Sequence, residues 1–80
     1  MLLELDRWKI RMKVDEKIVT IRGEALFPAP GEPDFVVGRN EPLTWEPPHD
    51  MEPIDEAMRQ KIFNIAREEL AKRKMTLEVE

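Results

Sequence analysis

Hydrophobic and polar residues alternate along the first part of the chain, as they do in a strand with one buried and one solvated face. The apolar positions of the first alternating stretch are Trp8, Ile10, Met12 and Val14. Alternation resumes over residues 17–22, and Asp15-Glu16 lies between the two stretches as a turn. The pattern predicts an antiparallel hairpin of strands 8–14 and 17–22. Leu3 and Leu5 have the opposite parity, so either a bulge restores the register or the first strand begins after them.

Prolines divide the middle of the chain into short pieces. Residues 28–34 contain three prolines and a glycine, which predicts a loop. Residues 35–37 and 43–45 are short apolar runs separated by a polar stretch, and they predict a second hairpin. Pro47-Pro48 then ends the fourth strand, because proline cannot donate to a sheet.

One amphipathic helix follows. Asp55 suits the N-cap, and the helix is expected to run to about Lys74. Its apolar residues recur every three or four positions and should pack on the sheet: Met58, Ile62, Ile65, Ala66 and Leu70. Residues 76–80 alternate again as a last strand. The predicted fold is therefore α+β, a mainly antiparallel sheet in the order β-β-β-β-α-β with the helix packed on one face.

Length and composition agree with a single small domain over residues 1–80. A chain of 80 residues leaves little room for a deep enzyme cleft. Its formal charge of -4 disfavours nucleic acid as a direct ligand. No apolar run approaches the roughly 18 residues of a membrane span, and the N-terminus does not resemble a signal peptide. We therefore expect a cytoplasmic protein without membrane contact.

The residue types needed for common catalytic and metal chemistry are scarce. The chain has no cysteine, serine or tyrosine, and His49 is its single histidine. His49-Asp50 beside Glu52 could suggest a metal site or an acid/base pair, but neither a full ligand set nor a paired nucleophile is visible. The sequence predicts no enzyme, no metal and no cofactor.

The charge distribution points to a binding surface instead. Residues 41–56, hereafter the acidic segment, carry six acidic side chains and no basic one. Such a cluster favours a basic protein partner, although helix N-termini also collect carboxylates for structural reasons. The candidate partner-binding residues are Glu46, His49, Asp50 and Glu52. Trp8 and Trp45 fit either core packing, which their alternating strands favour, or interface anchors.

A family resemblance gives these features a function. Trp45-Glu46-Pro47-Pro48-His49-Asp50, followed by Glu52-Pro53-Ile54-Asp55 at the helix start, resembles the immunity proteins of bacterial polymorphic toxin systems, and in particular immunity protein 74. The resemblance covers the chain from about Val19 onwards and implies nothing for the hydrophobic N-terminus or residues 28–33. It implies a non-enzymatic cytoplasmic α+β protein that binds and neutralises a cognate toxin, and the acidic segment favours a basic, nuclease-type toxin. The alternative is a small homo-oligomerising interaction module, for example a homodimer.

Overall fold

The computed structural model describes residues 1–26 and 30–80, which form six strands and one helix. The elements in chain order are β1 (Leu2–Leu5), β2 (Lys9–Val14), β3 (Lys17–Arg22), β4 (Glu24–Ala25), β5 (Phe35–Val37), α1 (Glu56–Ala71) and β6 (Leu77–Val79). The strands make two three-stranded sheets, in the orders β1-β2-β3 and β4-β5-β6. The α+β class and the mostly antiparallel pairing are confirmed, but two small sheets replace the single predicted sheet.

The predicted N-terminal hairpin is confirmed. Strands β2 and β3 pair antiparallel from Lys9 opposite Arg22 to Val14 opposite Lys17. Asp15 and Glu16 form the two-residue turn, and both have positive φ values, 51° and 66°, as the mirror-image hairpin turns require. The residues of the two strands that alternate towards the interior are fully or almost fully buried: Ile10, Met12, Val14, Val19 and Ile21.

The N-terminal residues form a strand, β1, that the alternation of apolar and polar residues did not predict clearly. Residues of β1 pair antiparallel with β2, with a register irregularity between Leu2 and Glu4. The opposite parity of Leu3 and Leu5 therefore reflects a separate strand, joined to β2 by a turn in which the Asp6 carboxylate accepts the N–H groups of Trp8 and Lys9.

The expectation that Trp8 shares the buried face of β2 is wrong. Trp8 belongs to the turn before β2, and 60% of its surface is exposed. Trp45, in contrast, is in the core at 3% exposure. The two tryptophans have opposite environments because Trp8 lies in the bend before β2, whereas Trp45 is bridged to Val19 of β3.

The second sheet contradicts the predicted second hairpin. β5 pairs antiparallel with β4 and parallel with β6, while residues 43–45 form no strand, and Trp45 makes a single bridge to Val19 of β3. Gly23 joins the two sheets, and a Cβ at this position would overlap the Val36 carbonyl and the Phe35 ring. Residues 30–34 form turns and bends, whereas the beginning of the predicted 28–34 loop lies outside the described residues.

The helix begins as predicted and ends earlier. The Asp55 carboxylate accepts the N–H of Met58 at 2.8 Å. The helix ends at Ala71 rather than near Lys74, because Lys74 has a φ of 58°. The N–H groups of Lys74 and Met75 there bond to the carbonyls of Ala71 and Leu70, which is the Schellman ending.

The core lies between the inner face of the β1-β2-β3 sheet, the helix and β5. The helix contributes Ile62, Phe63, Ala66 and Leu70 to the core, and β5 contributes Phe35 and Val37. Met58 and Ile65 of the helix are partly buried at the margin of the core. Residues 43–45 close one side through Leu43 and Trp45. No helix in the described part of the chain is long and apolar enough to cross a membrane.

Candidate partner-binding surface

The acidic segment runs beside the edge of the N-terminal sheet. Trp45 bridges to Val19, and the N–H of Glu46 donates to the Ile18 carbonyl at 2.7 Å. Two successive turns follow, in which His49 N–H donates to the Glu46 carbonyl and Glu52 N–H donates to the His49 carbonyl, both at 3.0 Å. The backbone from 46 to 52 is therefore tied both to β3 and to itself.

Glu46 attaches the acidic segment to the outer face of the sheet. Its carboxylate accepts two hydrogen bonds from the Arg11 guanidinium, at 2.7 and 2.8 Å, and one from the Thr20 hydroxyl at 3.1 Å. The hydrogen bonds from Arg11 are the main reason that the pKa of Glu46 is lowered. A bidentate pair of this kind restricts the geometry more than a single contact does, so Glu46 acts first as a structural anchor.

Glu52 makes the corresponding attachment on the other side of β3. Its carboxylate bonds to the Lys17 ammonium and to His49 Nδ1. Lys17 has the parity of the inward-facing residues of β3, and its ammonium lies 5.4 Å from the centre of the Trp45 ring. Hydrogen bonding, from Lys17 first and then from His49, lowers the pKa of Glu52. The segment therefore straddles the edge strand, with Glu46 on one face and Glu52 on the other.

The apex between these two attachments projects into solvent. Met51 is 90% exposed, the highest value among the exposed large apolar side chains. Asp50 is exposed as well and makes no ion pair with any described residue. The apex thus presents one flexible apolar side chain next to one uncompensated carboxylate.

The other end of the acidic segment is held by the helix. Arg59 donates one hydrogen bond to the Glu41 carbonyl at 2.7 Å and another to the Arg39 carbonyl, and its guanidinium lies 4.9 Å from the centre of the Phe63 ring. With Asp55 capping the helix, both ends of the segment are fixed to regular structure.

A groove of about 860 Å³ lies on the outer face of the sheet, between its charged side chains and the acidic segment. We call it the sheet groove. Its residues from the sheet side are Trp8, Lys9, Thr20 and Arg22, and those from the acidic segment are Glu41, Pro42, Thr44, Trp45, Glu46, Pro47 and Asp50. Glu46 and Asp50 therefore line the groove, whereas Glu52 and His49 lie outside its lining.

The sequence could not reveal which of the four candidate residues are paired with a cation in the fold and which are not. Glu46 and Glu52 are engaged by Arg11 and Lys17, each 35 positions away in the chain. Asp50 is left as the uncompensated carboxylate. The strand pattern did place Arg11 on the solvated face, opposite Thr20, but its pairing with the acidic segment depends on the path of residues 43–46 along β3.

The described residues contain no group of three or more histidine, cysteine, aspartate or glutamate side chains placed to hold a metal ion. The prediction that His49 binds no metal and performs no catalysis stays a prediction. The groups that this region presents are anchored carboxylates, paired cations and the exposed side chains of Trp8 and Met51.

A comparison with protein-family models matches residues 2–80 to the model described as Immunity protein 74. This confirms the resemblance found from the sequence and corrects its extent, because the match includes the N-terminus and the proline-rich loop. Immunity proteins are generally non-enzymatic. No curated protein and no solved structure matches the chain.

Proposed function

Because the chain belongs to the immunity protein 74 family, we propose that it binds and neutralises a cognate toxin domain. It does so as a stoichiometric inhibitor in the bacterial cytoplasm, within a polymorphic toxin system. Neutralisation requires neither a cofactor nor a reaction catalysed by this chain, and its partner is a protein rather than nucleic acid or a membrane.

The observation that carries the proposal is the exposed apex at Asp50-Met51, held by attachments on both sides of β3. A preorganised loop loses less conformational entropy on binding than a free one. Methionine is enriched at protein interfaces, and a 90% exposed apolar side chain gains most when a partner covers it. We therefore place Met51 at the centre of the contact with the toxin.

The charges around this apex favour a basic toxin, of the nuclease type. Two of the six carboxylates of the acidic segment, Glu46 and Glu52, are compensated by cations of the sheet, and Asp55 caps the helix. Glu41, Asp50 and Glu56 make no ion pair with a described residue, and of these three Asp50 is the one at the apex, where it is free to attract a cation of the partner. Exposed charges of this kind act mainly on the association rate and its salt dependence.

The test measures binding kinetics between the purified chain and the toxin domain encoded beside its gene. Met51→Ala should weaken affinity by about fivefold or more, the loss expected for an interface residue worth over about 1 kcal/mol. Asp50→Lys should slow association at low ionic strength and have less effect at high salt. A wild-type chain that neither binds this toxin nor protects cells from it would contradict the proposal.

Control variants separate contact from general charge and fold effects. Glu68→Lys makes the same charge change on the exposed helix surface and should leave association nearly unchanged. Charge reversal of Glu46 or Glu52 is not a suitable test of the contact with the toxin. A lysine at either position would lie beside Arg11 or Lys17 and displace the acidic segment.

The alternative, a homodimerising module, has one supporting observation. β1 is an edge strand of the three-stranded sheet, and its Leu3 is exposed. Unpaired edges of this kind can pair with a second copy. Sedimentation of the purified chain across a range of concentrations distinguishes the two: a stable dimer that Leu3→Lys dissociates would favour the alternative.

A further inference from the structure

A second groove, of about 650 Å³, lies between the helix and the turn that follows β5. Its charged lining consists of Arg39 from that turn and of Glu56, Arg59 and Arg67 from the helix, and the buried ring of Phe63 lies among them. Three guanidiniums thus share the groove with one carboxylate, and its basic residues are all arginines. We call the space between the three arginines the arginine groove.

Arg59 joins the two sides of the arginine groove and is fixed in place. It is half-buried, and its guanidinium donates hydrogen bonds to the Glu41 and Arg39 carbonyls and lies against the Phe63 ring. The Gly38 carbonyl accepts the N–H of Glu41 at 3.0 Å, which closes the turn that carries Arg39. The two backbone contacts leave other N–H donors of the Arg59 guanidinium unused. The groove is therefore preorganised and retains donors for a ligand.

The positive charges of the arginine groove are not neutralised from within the molecule. None of the three arginines makes an ion pair with a described residue. The Glu56 carboxylate accepts a hydrogen bond from Gln60, and Glu41 lines the sheet groove instead. The Arg67 guanidinium donates to the neutral Asn64 side chain at 3.2 Å. The lining keeps an excess of positive charge, and an anion that enters the groove lowers its electrostatic energy.

The residue type and the charge of the whole chain narrow the class of anion. Arginine binds a carboxylate or a phosphate through two parallel hydrogen bonds, and it is enriched at protein interfaces, where lysine is depleted. The net charge of -4 opposes nucleic acid or any other extended polyanion. A protein segment that carries one or two carboxylates meets the arginines without that penalty. Charge complementarity therefore selects an acidic protein segment as the occupant.

The position of the arginine groove supports the toxin as the source of this segment. The acidic segment begins at Glu41, whose carbonyl accepts a hydrogen bond from Arg59, and ends at Glu56, which lines the groove. The groove therefore adjoins both ends of the acidic segment, and a toxin that covers this segment meets the rim of the groove. We infer that a carboxylate of the toxin binds between Arg39, Arg59 and Arg67, in addition to the contact at the apex. This inference deepens the proposed function and rests on it.

The first experiment measures dissociation of the complex with the toxin encoded beside the gene. Arg39→Glu and Arg67→Glu should each increase the dissociation rate by about tenfold or more, because a charge-assisted contact is replaced by repulsion. Arg73→Glu makes the same charge change beyond the helix end and should dissociate as the wild type does. Arg59 is not substituted, because it also holds the turn that carries Arg39. Circular dichroism melting of each variant confirms that the fold is retained.

A conservative variant separates hydrogen-bond geometry from charge. Arg67→Lys keeps the positive charge but cannot make two parallel hydrogen bonds to a carboxylate. It should therefore dissociate faster than the wild type and more slowly than Arg67→Glu. A purely long-range effect of charge would instead leave Arg67→Lys at the wild-type rate, and that result would overturn the assignment of a bound carboxylate.

The second experiment tests the arginine groove without the toxin. Capped triglutamate and capped triglutamine peptides are added separately to ¹⁵N-labelled protein at constant ionic strength. Triglutamate should shift the side-chain Nε–H resonances of Arg39 and Arg67, which are assigned with the lysine variants, whereas the resonance of Arg73 stays in place. Triglutamine should shift none of them. Inorganic phosphate is the third probe, and tighter binding of phosphate than of triglutamate would overturn the choice of a carboxylate.

The outcomes distinguish this inference from the proposed function. A wild-type complex whose dissociation is unchanged by Arg39→Glu and Arg67→Glu would overturn this inference alone, and so would the absence of any shift with triglutamate. Absence of any complex with the toxin would overturn the proposed function and the inference with it, even where triglutamate binds. Faster dissociation of both glutamate variants, together with the selective shifts, would support the inference.

Discussion

The two faces of the β1-β2-β3 sheet are built from alternate residues of the same strands and have opposite properties. On β2 and β3 the inner face is formed by apolar side chains with almost no exposure and by Lys17 at its margin, whereas the outer face carries lysine, arginine and threonine together with Ile18. The ion pair of Lys9 with Glu4 and that of Arg11 with Glu46 both lie on the outer face. The comparison shows that core packing and surface ion pairs are assigned to opposite faces, so a substitution on the outer face should leave the packing of the inner face nearly unchanged.

The largest effect is expected from the residues packed beneath the inner face. Ile62 is fully buried on the helix, and Ile62→Ala should lower the free energy of unfolding by about 2–5 kcal/mol, because it removes buried methyl groups and leaves a cavity. Chemical denaturation measures this. Glu68→Ala, on the exposed side of the same helix, should change stability by less than about 0.5 kcal/mol. An unchanged midpoint in Ile62→Ala would remove the helix from the core.

The turn that joins β2 and β3 sets the register, and therefore which residues face inwards. Glu16 occupies this turn with a φ of 66°, a conformation that costs a residue with a side chain roughly 1 kcal/mol more than glycine. Glu16→Gly should raise the free energy of unfolding by up to about 1 kcal/mol, since the Lys13–Glu16 pair that it removes is exposed. The same substitution at Asp15 is a poorer test because Asp15 pairs with Lys61. A loss of stability in Glu16→Gly would contradict the turn geometry.

A smaller effect on stability is expected on the outer face. Arg11→Met removes the bidentate pair with Glu46, and a partly exposed pair of this kind contributes little to global stability. The change should instead appear locally, as faster hydrogen exchange of the amides of residues 46 and 49, whose hydrogen bonds hold the acidic segment to β3 and to itself. Lys72→Met, which removes an exposed pair with Glu69 on the helix, should leave that exchange unchanged. Equal protection in both variants would show that Arg11 does not hold the segment.

The smallest effect concerns pH. The pKa of Glu46 and that of Glu52 are both lowered from the usual value of 4.5 by hydrogen bonds from Arg11 and Lys17. A carboxylate with a lowered folded-state pKa contributes stability above its unfolded pKa and loses it as the pH falls through the folded value. Thermal melting between about pH 5 and pH 3 should therefore show a shallower decline for Glu46→Gln than for the wild type. Glu68→Gln, with the same change in net charge, should keep the wild-type slope.

The sequence predicted those elements whose signals are local. The β2–β3 hairpin follows from alternation and a two-residue turn, the helix start from Asp55, and the buried stripe of Ile62, Ala66 and Leu70 from its spacing. The sequence-based prediction failed where strands pair with residues that are distant in the chain. Residues 43–45 have the composition of a strand but meet only one partner, and β5 pairs with the distant β6 rather than with its neighbour in the chain.

By itself, the sequence determined the α+β class, the inner face of the hairpin, the helix and the family, because periodicity, capping residues and a specific motif are properties of neighbouring positions. Only the tertiary structure decided that Trp8 is exposed while Trp45 is buried, that Glu46 and Glu52 are compensated, and that Asp50 and Met51 form the apex. The physical reason is that exposure and charge compensation depend on which distant side chains approach. The path of the acidic segment along β3 sets those approaches, and no local pattern encodes it.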